Sequence, residues 1–541
     1  MGGATVSRAP DFSKLSGMEP IVDTVVLVAI SVLGAALARR LGFVAPLVLL
    51  VAGLGLSYVP GVPAVEIEPD LVWIGILPPL LYVAALQTNV VAFRRALRPI
   101  LLLAVGLVVL TAFVVGFVVH ALLPDVPLAA CIALGAVVAP PDAVSATAIA
   151  RRIGLPRRVV TILEGESLLN DASALVLLRI SIGALLGSAA GFWEIAGQVT
   201  LKAGGGVLIG FAFAIGAAWV HKRIEDSLLD DAVSLLTPFV VVIVAERLHT
   251  SSVVAVVVAG LYLGHRIPYL LSATSRLQMD AVWRLVTFLL EGVVFLLVGL
   301  QIRDLIGKIE RDLVTTVQVT AAVFVTLVLV RFVWMYPATY LARLIPRIRA
   351  REERPPPSVP TVIAWAGMRG VVTLAAALTL PLNKDVANAD YPRELFVFVA
   401  FAIIVLTLLI QGTTLPVLAR RLGVKEDTTA EDALAEAGVQ HAASRAALAR
   451  LEEKADGAPR SVVERLRALT DSRANSAWER LGSQDQETPS AAYGRLRREM
   501  IGAERHVFKI ARNEGRISEE VLNRAQRDLD LEESQLNRSD E

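Results

Sequence analysis

Cysteine is nearly absent from this chain of 541 residues, which carries only Cys131, inside an apolar run. A lone thiol excludes a disulfide within the chain and a cysteine-rich metal site. An excess of one charge is absent too, because 52 Lys and Arg balance 51 Asp and Glu. The sequence therefore has no broad basic surface for nucleic acid, and we expect no such partner.

Apolar residues, in contrast, are abundant. They form 55% of the chain and give a mean hydropathy of +0.61, whereas soluble domains contain roughly 45–50% apolar residues. Because a helix needs about 20 mostly apolar residues to cross a bilayer, windows of that length locate the spans. We predict an all-α membrane protein with about thirteen transmembrane helices, at residues 20–38, 42–60, 69–88, 99–122, 126–150, 159–186, 195–221, 231–247, 251–265, 278–301, 313–342, 359–383 and 393–416.

Basic residues are concentrated in alternate loops between these spans. Clusters such as Arg94–Arg95 and Arg151–Arg152 alternate with the loops 60–70 and 124–127, which hold no Lys or Arg. The positive-inside rule assigns the basic loops to the cytoplasm, and an odd number of spans then places the N-terminus outside. The predicted division is an extracellular N-terminal segment at 1–19, a transmembrane domain at 20–421 and a cytoplasmic helical tail at 422–541.

The tail differs in composition from the membrane domain. From about Lys425 onwards charged residues are frequent, and Ala, Leu, Glu and Arg dominate. Apolar residues recur at helical spacing, and Ser518 before Glu519 and Glu520 indicates the start of a helix. Two interpretations stay open: a helical tail with a task of its own, and solvated helices without a specific one.

Two predicted spans contain residues that interrupt a helix in its middle. The fifth carries Pro140–Pro141–Asp142, and the twelfth carries Gly367–Met368–Arg369–Gly370. Proline removes a backbone donor and glycine weakens a helix, so both spans are expected to break at bilayer depth. A matched pair of interrupted helices is typical of transporters built from inverted repeats, with the binding site at the midplane.

Charged side chains inside predicted spans are functional candidates, because each costs roughly 2.5–3.5 kcal/mol at the bilayer centre on insertion scales. Span six is the richest. Ser167 and Asp171 share one helix face, and Glu166 and Asn170 share the adjacent strip. Oxygen ligands of this kind suit a small alkali cation better than a soft transition metal, although a polar seam between helices would use the same residues. The other candidates are Asp142, Glu164, Arg179, Glu291, Arg331 and Arg369.

The run Glu166-Ser167-Leu168-Leu169-Asn170-Asp171 resembles the signature of the monovalent cation:proton antiporter-1 family. Its bacterial members are the NhaP-type sodium/proton antiporters, and its animal members are the sodium/proton exchangers. Leu77-Pro78-Pro79-Leu80-Leu81, the glycine motif at 367–370 and Gln411-Gly412 extend the resemblance over all predicted spans, about three quarters of the chain. The resemblance implies a core domain with two crossed, broken helices, a separate dimerisation domain, and alternating access by movement of the core.

The resemblance also implies a role for each matched position. Asp171 is expected to bind both the transported ion and the proton, beside the amide of Asn170 and the hydroxyl of Ser167. Asp142, next to Pro141 in the fifth helix, is expected to face the ion together with backbone carbonyls, so that Na+ lies among Asp171, Asp142 and Ser167. The remaining matches are a structural ion pair, Glu166 with Arg331, and an arginine in the break of the twelfth helix, Arg369.

Two departures from the family pattern affect these assignments. Many members have Asp before Pro in the fifth helix, whereas Pro141 precedes Asp142 here, which changes the freed carbonyl. Many also carry an acid after the Pro-Pro pair of span three, where this chain has Val83. Capping of the second half-helix is the alternative role for Asp142, and Glu291 fits an ion path or a helix contact. Arg369 is expected to neutralise helix carbonyl ends rather than to touch substrate.

A carboxylate partly removed from water can hold either a proton or a cation, and exposing it alternately to each side produces antiport. We predict a homodimeric, electroneutral exchanger of Na+ (with Li+ as a further ion) for H+ in a bacterial cell membrane. It would serve pH and sodium homeostasis without enzymatic activity or a cofactor. Asn170 and Ser167 are expected to hydrogen-bond the Asp171 carboxylate. The alternatives are a K+/H+ antiporter with the same site and a cation channel, against which two broken helices argue.

Overall fold

The computed structural model describes residues 19–41, 45–60, 71–187, 192–309, 311–346, 349, 354–381, 391–424, 429–479 and 488–540. Within these ranges every regular element is helical, which confirms the predicted all-α class. The chain divides into two compact units, Met1–Lys425 and Glu426–Glu541.

The first unit contains the apolar helices. In chain order they are α1 (Glu19–Leu41), α2 (Ala45–Ser57), α3 (Leu77–Gln87, after a π-helical turn at Leu71–Ile76), α4 (Val90–Arg95), α5 (Leu97–Leu101, continued by a π-helical turn at Leu102–Leu107), α6 (Val108–Leu122), α7 (Leu128–Val138), α8 (Ala143–Arg152), α9 (Arg157–Leu185), α10 (Phe192–His221), α11 (Ser227–Arg247), α12 (Ser252–Leu270), α13 (Ala273–Leu300), α14 (Ile302–Gly307), α15 (Leu313–Tyr340), α16 (Ser358–Trp365), α17 (Val371–Leu378), α18 (Arg393–Leu406, continued by a π-helical turn at Thr407–Gln411) and α19 (Gly412–Arg421).

Among the described residues, eight helical stretches are long and apolar enough to cross a bilayer, and shorter apolar helices accompany them. Their positions follow the predicted spans. The protein is therefore a multi-pass membrane protein, and the count of thirteen spans stays a prediction.

Both predicted interruptions are present in the structure. Span five is divided into α7 and α8 at residues 139–142, and span twelve is divided into α16 and α17 at residues 366–370. Pro140 and Pro141 lack the N–H groups that would continue α7. Each break leaves carbonyl groups at the end of one half-helix, and N–H groups at the start of the next, without helical partners.

Small residues allow the helices around the breaks to approach closely. Gly135 of α7 lies against α6, where an added Cβ would collide with the backbone of Ala112. Gly299 of α13 meets the backbone of α2 at Leu50 and Gly53 in the same way. Helices in a membrane gain little from hiding apolar surface from lipid, so close contacts of this kind provide much of their packing energy.

The second unit contains, within its described residues, α20 (Thr429–Lys454), α21 (Arg460–Glu479), α22 (Pro489–Asn513) and α23 (Glu519–Asp540). Ser518 precedes α23, and its hydroxyl oxygen accepts a hydrogen bond from the Val521 N–H at 3.4 Å, as a helix start requires. α22 packs against α23, and Arg497 makes two contacts of 2.7 Å with the Glu532 carboxylate. The described residues of this region are helical, and its assignment as a cytoplasmic tail stays a prediction.

Candidate ion-binding site

The two helix breaks meet and are joined through their backbones. The N–H of Asp142, just before α8, donates to the Met368 carbonyl at 2.7 Å. Gly370, just before α17, leaves room for the Asp142 side chain, since a Cβ there would lie 2.5 Å from its carboxyl carbon. Asp142 is half-buried and stands at the N-terminal ends of two half-helices. Helix dipoles and free N–H groups stabilise a negative charge at such a position.

Arg369 lies at the opposite, carbonyl ends of the interrupted helices and neutralises their partial negative charge. It is 2% exposed, and it donates to the carbonyl oxygens of Val138 at 3.0 Å and Ala139 at 3.3 Å, at the end of α7. It also donates to the Gly367 carbonyl, just beyond α16. These carbonyls form the negative end of a helix dipole. The guanidinium group therefore lies where the sequence predicted charge compensation.

One face of α9 borders a cavity of about 340 Å³. Asp171 and Ser167 line this cavity from α9, Asp142 lines it from the break, and Glu291 lines it from α13. Asp171 is only 3% exposed, and it forms part of the cavity wall. The face predicted from the i, i+4 spacing of Ser167 and Asp171 thus brings oxygen ligands together.

The adjacent face of α9 is closed by protein. Glu166 and Arg331 of α15 form a bidentate pair with nitrogen–oxygen distances of 2.5 and 2.8 Å. The two side chains are 1% and 2% exposed, respectively. Arg331 Nε also donates to the Ile363 carbonyl at 3.2 Å, which links α15 to α16. The planar guanidinium fork matches the carboxylate, so the structure brings together the pair that the resemblance implied.

Asn170 has a different partner from the one predicted. Its amide nitrogen donates to the Pro141 carbonyl at 2.8 Å rather than to the Asp171 carboxylate. The break deprives that carbonyl of a helical donor, and Asn170 supplies one. Among the described residues, the amide oxygen of Asn170 has no hydrogen-bond partner. The predicted bond from Asn170 to Asp171 was therefore wrong, and the amide instead anchors the break to α9.

The cavity leads from Asp171 to the protein surface at Arg151. The Arg151 side chain is 59% exposed and bonds to Glu164 at 2.6 Å, and both residues line the cavity. Val83, at the position where many family members carry an acid, contributes an apolar part of the wall. An ion that enters beside Arg151 comes from the face that the basic loops predict to be cytoplasmic.

A second buried polar cluster escaped the sequence analysis. His221 at the end of α10 bonds to Asp230 of α11 at 2.8 Å, and their side chains are 5% and 2% exposed. The neighbouring Asp231 is also buried, and neither of its carboxylate oxygens has a hydrogen-bond partner among the described residues. Two consecutive aspartates at the start of predicted span eight were the available signal, but their histidine partner lies on another helix.

Comparison with known proteins shows the family. Residues 26–421 match the family model described as "Sodium/hydrogen exchanger, transmembrane". An uncharacterized Na(+)/H(+) exchanger of Mycobacterium tuberculosis is 34% identical over 531 residues, which cover 95% of this chain and 96% of that protein. The Na(+)/H(+) antiporter NhaP of Pseudomonas aeruginosa is 30% identical over 352 residues, which cover 64% of this chain and 80% of that protein.

A solved structure shares the fold. The sodium proton antiporter MjNhaP1 from Methanocaldococcus jannaschii, at pH 8, matches with a TM-score of 0.58 and 18% sequence identity, over 75% of this chain and 99% of that one. At this identity the likeness concerns the fold alone. The family match across residues 26–421 and the relatives that are at least 30% identical establish membership, and the protein is a member of the sodium/hydrogen exchanger family, of the bacterial NhaP type.

Proposed function

We propose that this protein exchanges Na+ for H+ and that the two ions compete for the carboxylate of Asp171. The observation that carries the proposal is the contrast between two buried carboxylates of α9. Arg331 neutralises Glu166 through two contacts, whereas Asp171 lines the cavity at the helix breaks. A carboxylate at a cavity wall is neutralised by a proton or by a cation, and one ion therefore displaces the other.

Asp142 and Ser167 complete the proposed sodium site. Both line the same cavity as Asp171, and both offer the hard oxygen ligands that alkali cations prefer. The half-helix N-termini beside Asp142 stabilise its charge when no cation is bound. The bond from Asn170 to the Pro141 carbonyl keeps the preceding backbone in place, so that Asp142 keeps its position while ions come and go.

The exchange is proposed to be electroneutral, with one Na+ for one H+. Asn170 cannot titrate, and Glu166 already has a bidentate contact with Arg331 that balances its charge. Asp142 stays charged because of the helix ends beside it. Asp171 is then the group whose proton occupancy changes, and the site carries the same charge with either ion.

The protein is proposed to act as a homodimer in the cell membrane, with its N-terminus outside and its tail in the cytoplasm. The basic loops around Arg94 and Arg151 support this orientation. In that orientation the cavity between Asp171 and Arg151 opens to the cytoplasm, and movement of the core would expose Asp171 to the other side. Glu291, on the opposite wall of the cavity, belongs to the ion path.

Proton movement in proteoliposomes tests the proposed exchange. Purified protein is reconstituted with an entrapped pH dye, and NaCl, LiCl or choline chloride is added outside. We expect Na+ and Li+, but not choline, to drive protons in the opposite direction. A Na+ flux that moves no protons would indicate a channel and would overturn the proposal.

K+/H+ exchange at the same site is the second candidate. The observation that favours it is a relative from Bacillus pumilus named "Sodium, potassium, lithium and rubidium/H(+) antiporter", which is 30% identical over 417 residues and matches 75% of this chain and 62% of that protein. KCl therefore forms a fourth arm of the same assay. Proton movement with K+ but not with Na+ would replace the sodium assignment.

The dependence of exchange on membrane potential distinguishes electroneutral from electrogenic exchange. Once the KCl arm shows no transport, K+ gradients with valinomycin set several membrane potentials during sodium-driven proton movement. We expect the end point to be independent of voltage. An end point that shifts with voltage would show net charge movement, and titration of Asp142 would be the first explanation to examine.

A further inference from the structure

Helix α22 in the second unit carries an exposed apolar seam. The seam consists of residues separated alternately by three and four positions: Tyr493, Leu496, Met500, Ala503, Val507 and Ile510. This is the heptad spacing that keeps side chains on one stripe of a helix. Tyr493, Leu496, Met500 and Val507 are 62%, 55%, 54% and 61% exposed, so the other described helices of the second unit leave the seam largely uncovered.

A different face of α22 makes the contacts within the tail. Gly494, Ile501 and Ala511 are buried, and Arg497 reaches from the flank of that face to Glu532 of α23. The contact with α23 is therefore already formed without the seam. An amphipathic helix normally has one apolar face, and a second one at heptad spacing is typical of a helix that pairs with another helix.

We propose that the seam of α22 pairs with the seam of a second copy of this chain, in antiparallel orientation. The pairing is independent of the ions that the membrane unit transports. Its layers would be Tyr493 with Ile510, Leu496 with Val507, and Met500 with Ala503. The central layer then combines a large side chain with a small one, which fills space evenly. A parallel pairing would instead set Ala503 against itself and leave a gap.

The charges that flank the seam also favour the antiparallel orientation. Arg497 and Glu504 lie on one flank, where they already bond to each other at 2.8 Å within the chain, and Glu499 and His506 lie on the other. In an antiparallel pair equivalent flanks of the two copies face each other, so Glu499 lies near His506 of the second copy. In a parallel pair Glu499 would face Glu504 of the second copy. Flanking charges of this kind select the orientation of paired helices.

Cross-linking of the full-length protein in native membranes tests the pairing. Cys131 is the only cysteine, so Cys131→Ala provides a background without thiols. Ala503→Cys places a thiol at the centre of the seam, and Lys509→Cys places one on an exposed, non-seam face of the same helix as a matched control. With a short bis-maleimide we expect a cross-linked dimer from Ala503→Cys and little from Lys509→Cys. Equal yields from both positions would overturn the proposal.

The ends of the seam report the orientation. In the antiparallel pair the two copies of residue 493 lie about 25 Å apart along the axis, at 1.5 Å per residue. Neither Tyr493→Cys nor Ile510→Cys should then cross-link alone, whereas co-expression of both should give a mixed dimer. Cross-linking of Tyr493→Cys with itself would show a parallel pair and overturn the orientation.

Met500→Glu in the Ala503→Cys background checks that apolar contact holds the pair. A charge in the central layer should abolish the cross-link, whereas Arg495→Glu, outside the seam, should preserve it. A cross-link that survives Met500→Glu would contradict pairing through the seam. Protection of the Ala503→Cys thiol from a water-soluble maleimide, without dimer formation, would show a different occupant and also overturn the proposal.

Discussion

Glu166 and Asp171 are carboxylates of one helix with nearly equal burial and opposite surroundings. Their exposed fractions are 1% and 3%. Glu166 is held by Arg331 at 2.5 and 2.8 Å, whereas Asp171 stands at the wall of a cavity. The difference teaches that burial alone does not make a carboxylate a transport site. The bidentate contact with the Arg331 guanidinium neutralises Glu166, whereas in the proposed mechanism a proton or Na+ neutralises Asp171.

The two helix breaks show the same distinction. Arg369 is enclosed, and its nitrogens are occupied by the carbonyls of Val138, Ala139 and Gly367. Asp142 lines the cavity instead. One charged residue therefore stabilises the interrupted backbone, whereas the other borders the cavity.

The largest effect is expected from Asp171→Asn. The amide has nearly the same shape but can neither take up a proton nor balance the charge of Na+, so sodium-driven proton movement in liposomes should fall to the level of empty liposomes. Dimer formation and thermal stability should persist. Ser173→Ala, a small change on the same helix at a residue that does not line the cavity, should retain exchange. Exchange by Asp171→Asn at the wild-type rate would show that Asp171, like Glu166, is not the site of exchange.

Glu166 and Arg331 form the enclosed pair, and replacement of either residue should lower the thermal stability of the protein. Glu166→Ala or Arg331→Ala leaves an uncompensated buried charge, which typically costs about 3–5 kcal/mol. Both variants should therefore unfold at lower temperature in detergent. The double variant should lose less than the sum of the single losses, because it leaves no unpaired charge. Strict additivity in this double-mutant cycle would contradict the direct contact.

A smaller loss of stability is expected from Arg369→Met. The change leaves the carbonyl groups of Val138, Ala139 and Gly367 without their side-chain donor, and these groups carry no full charge, so the loss should be smaller than that from an unpaired buried charge. The backbone bond between Asp142 and Met368 still joins the two breaks, which limits the damage. Thermal unfolding in detergent measures the effect, with Arg369→Lys expected to lie between wild type and Arg369→Met. Wild-type stability of Arg369→Met would show that these carbonyls need no cation.

The smallest effect is expected from Glu532→Gln in the tail. Arg497 holds Glu532 with the same bidentate geometry as the enclosed pair, but the Glu532 side chain is 38% exposed. The hydrogen bonds from Arg497 lower the pKa of Glu532. Its contribution to stability is therefore present above the usual glutamate pKa and is lost as pH falls through the lowered one. Water screens such a pair, so unfolding and exchange at neutral pH should match wild type.

A shift in unfolding temperature for Glu532→Gln as large as that for Glu166→Ala would contradict this account. Burial would then not explain why the Glu166–Arg331 pair contributes more to stability than the Glu532–Arg497 pair. The same comparison at acidic pH provides the control, because wild type and variant should converge once Glu532 is protonated.

Local features of the sequence predicted much of this arrangement. Pro140–Pro141 and Gly367–Gly370 break helices for reasons contained in the residues themselves, and the structure breaks there. The face shared by Ser167 and Asp171 follows from helical spacing alone, and the structure turns it to the cavity. These predictions succeeded because each depends on residues close together in the chain.

Contacts between distant segments could not be predicted in the same way. Asn170 bonds to Pro141 because the break of one span comes to rest against α9, and no spacing within either segment shows that approach. The pair of His221 and Asp230 likewise requires the turn between α10 and α11 to bring two helix ends together. The partner of Glu166 was found through the family resemblance, not from the residues alone.

Proton release on sodium binding tests the central claim most directly. Purified protein in weakly buffered detergent solution, at a pH where Asp171 is protonated, is titrated with NaCl while a dye records pH, with choline chloride as the reference. We predict that each Na+ bound by the wild type releases one proton and that Asp171→Asn releases none. Sodium-dependent proton release from Asp171→Asn equal to that of the wild type would contradict the claim that both ions share this carboxylate.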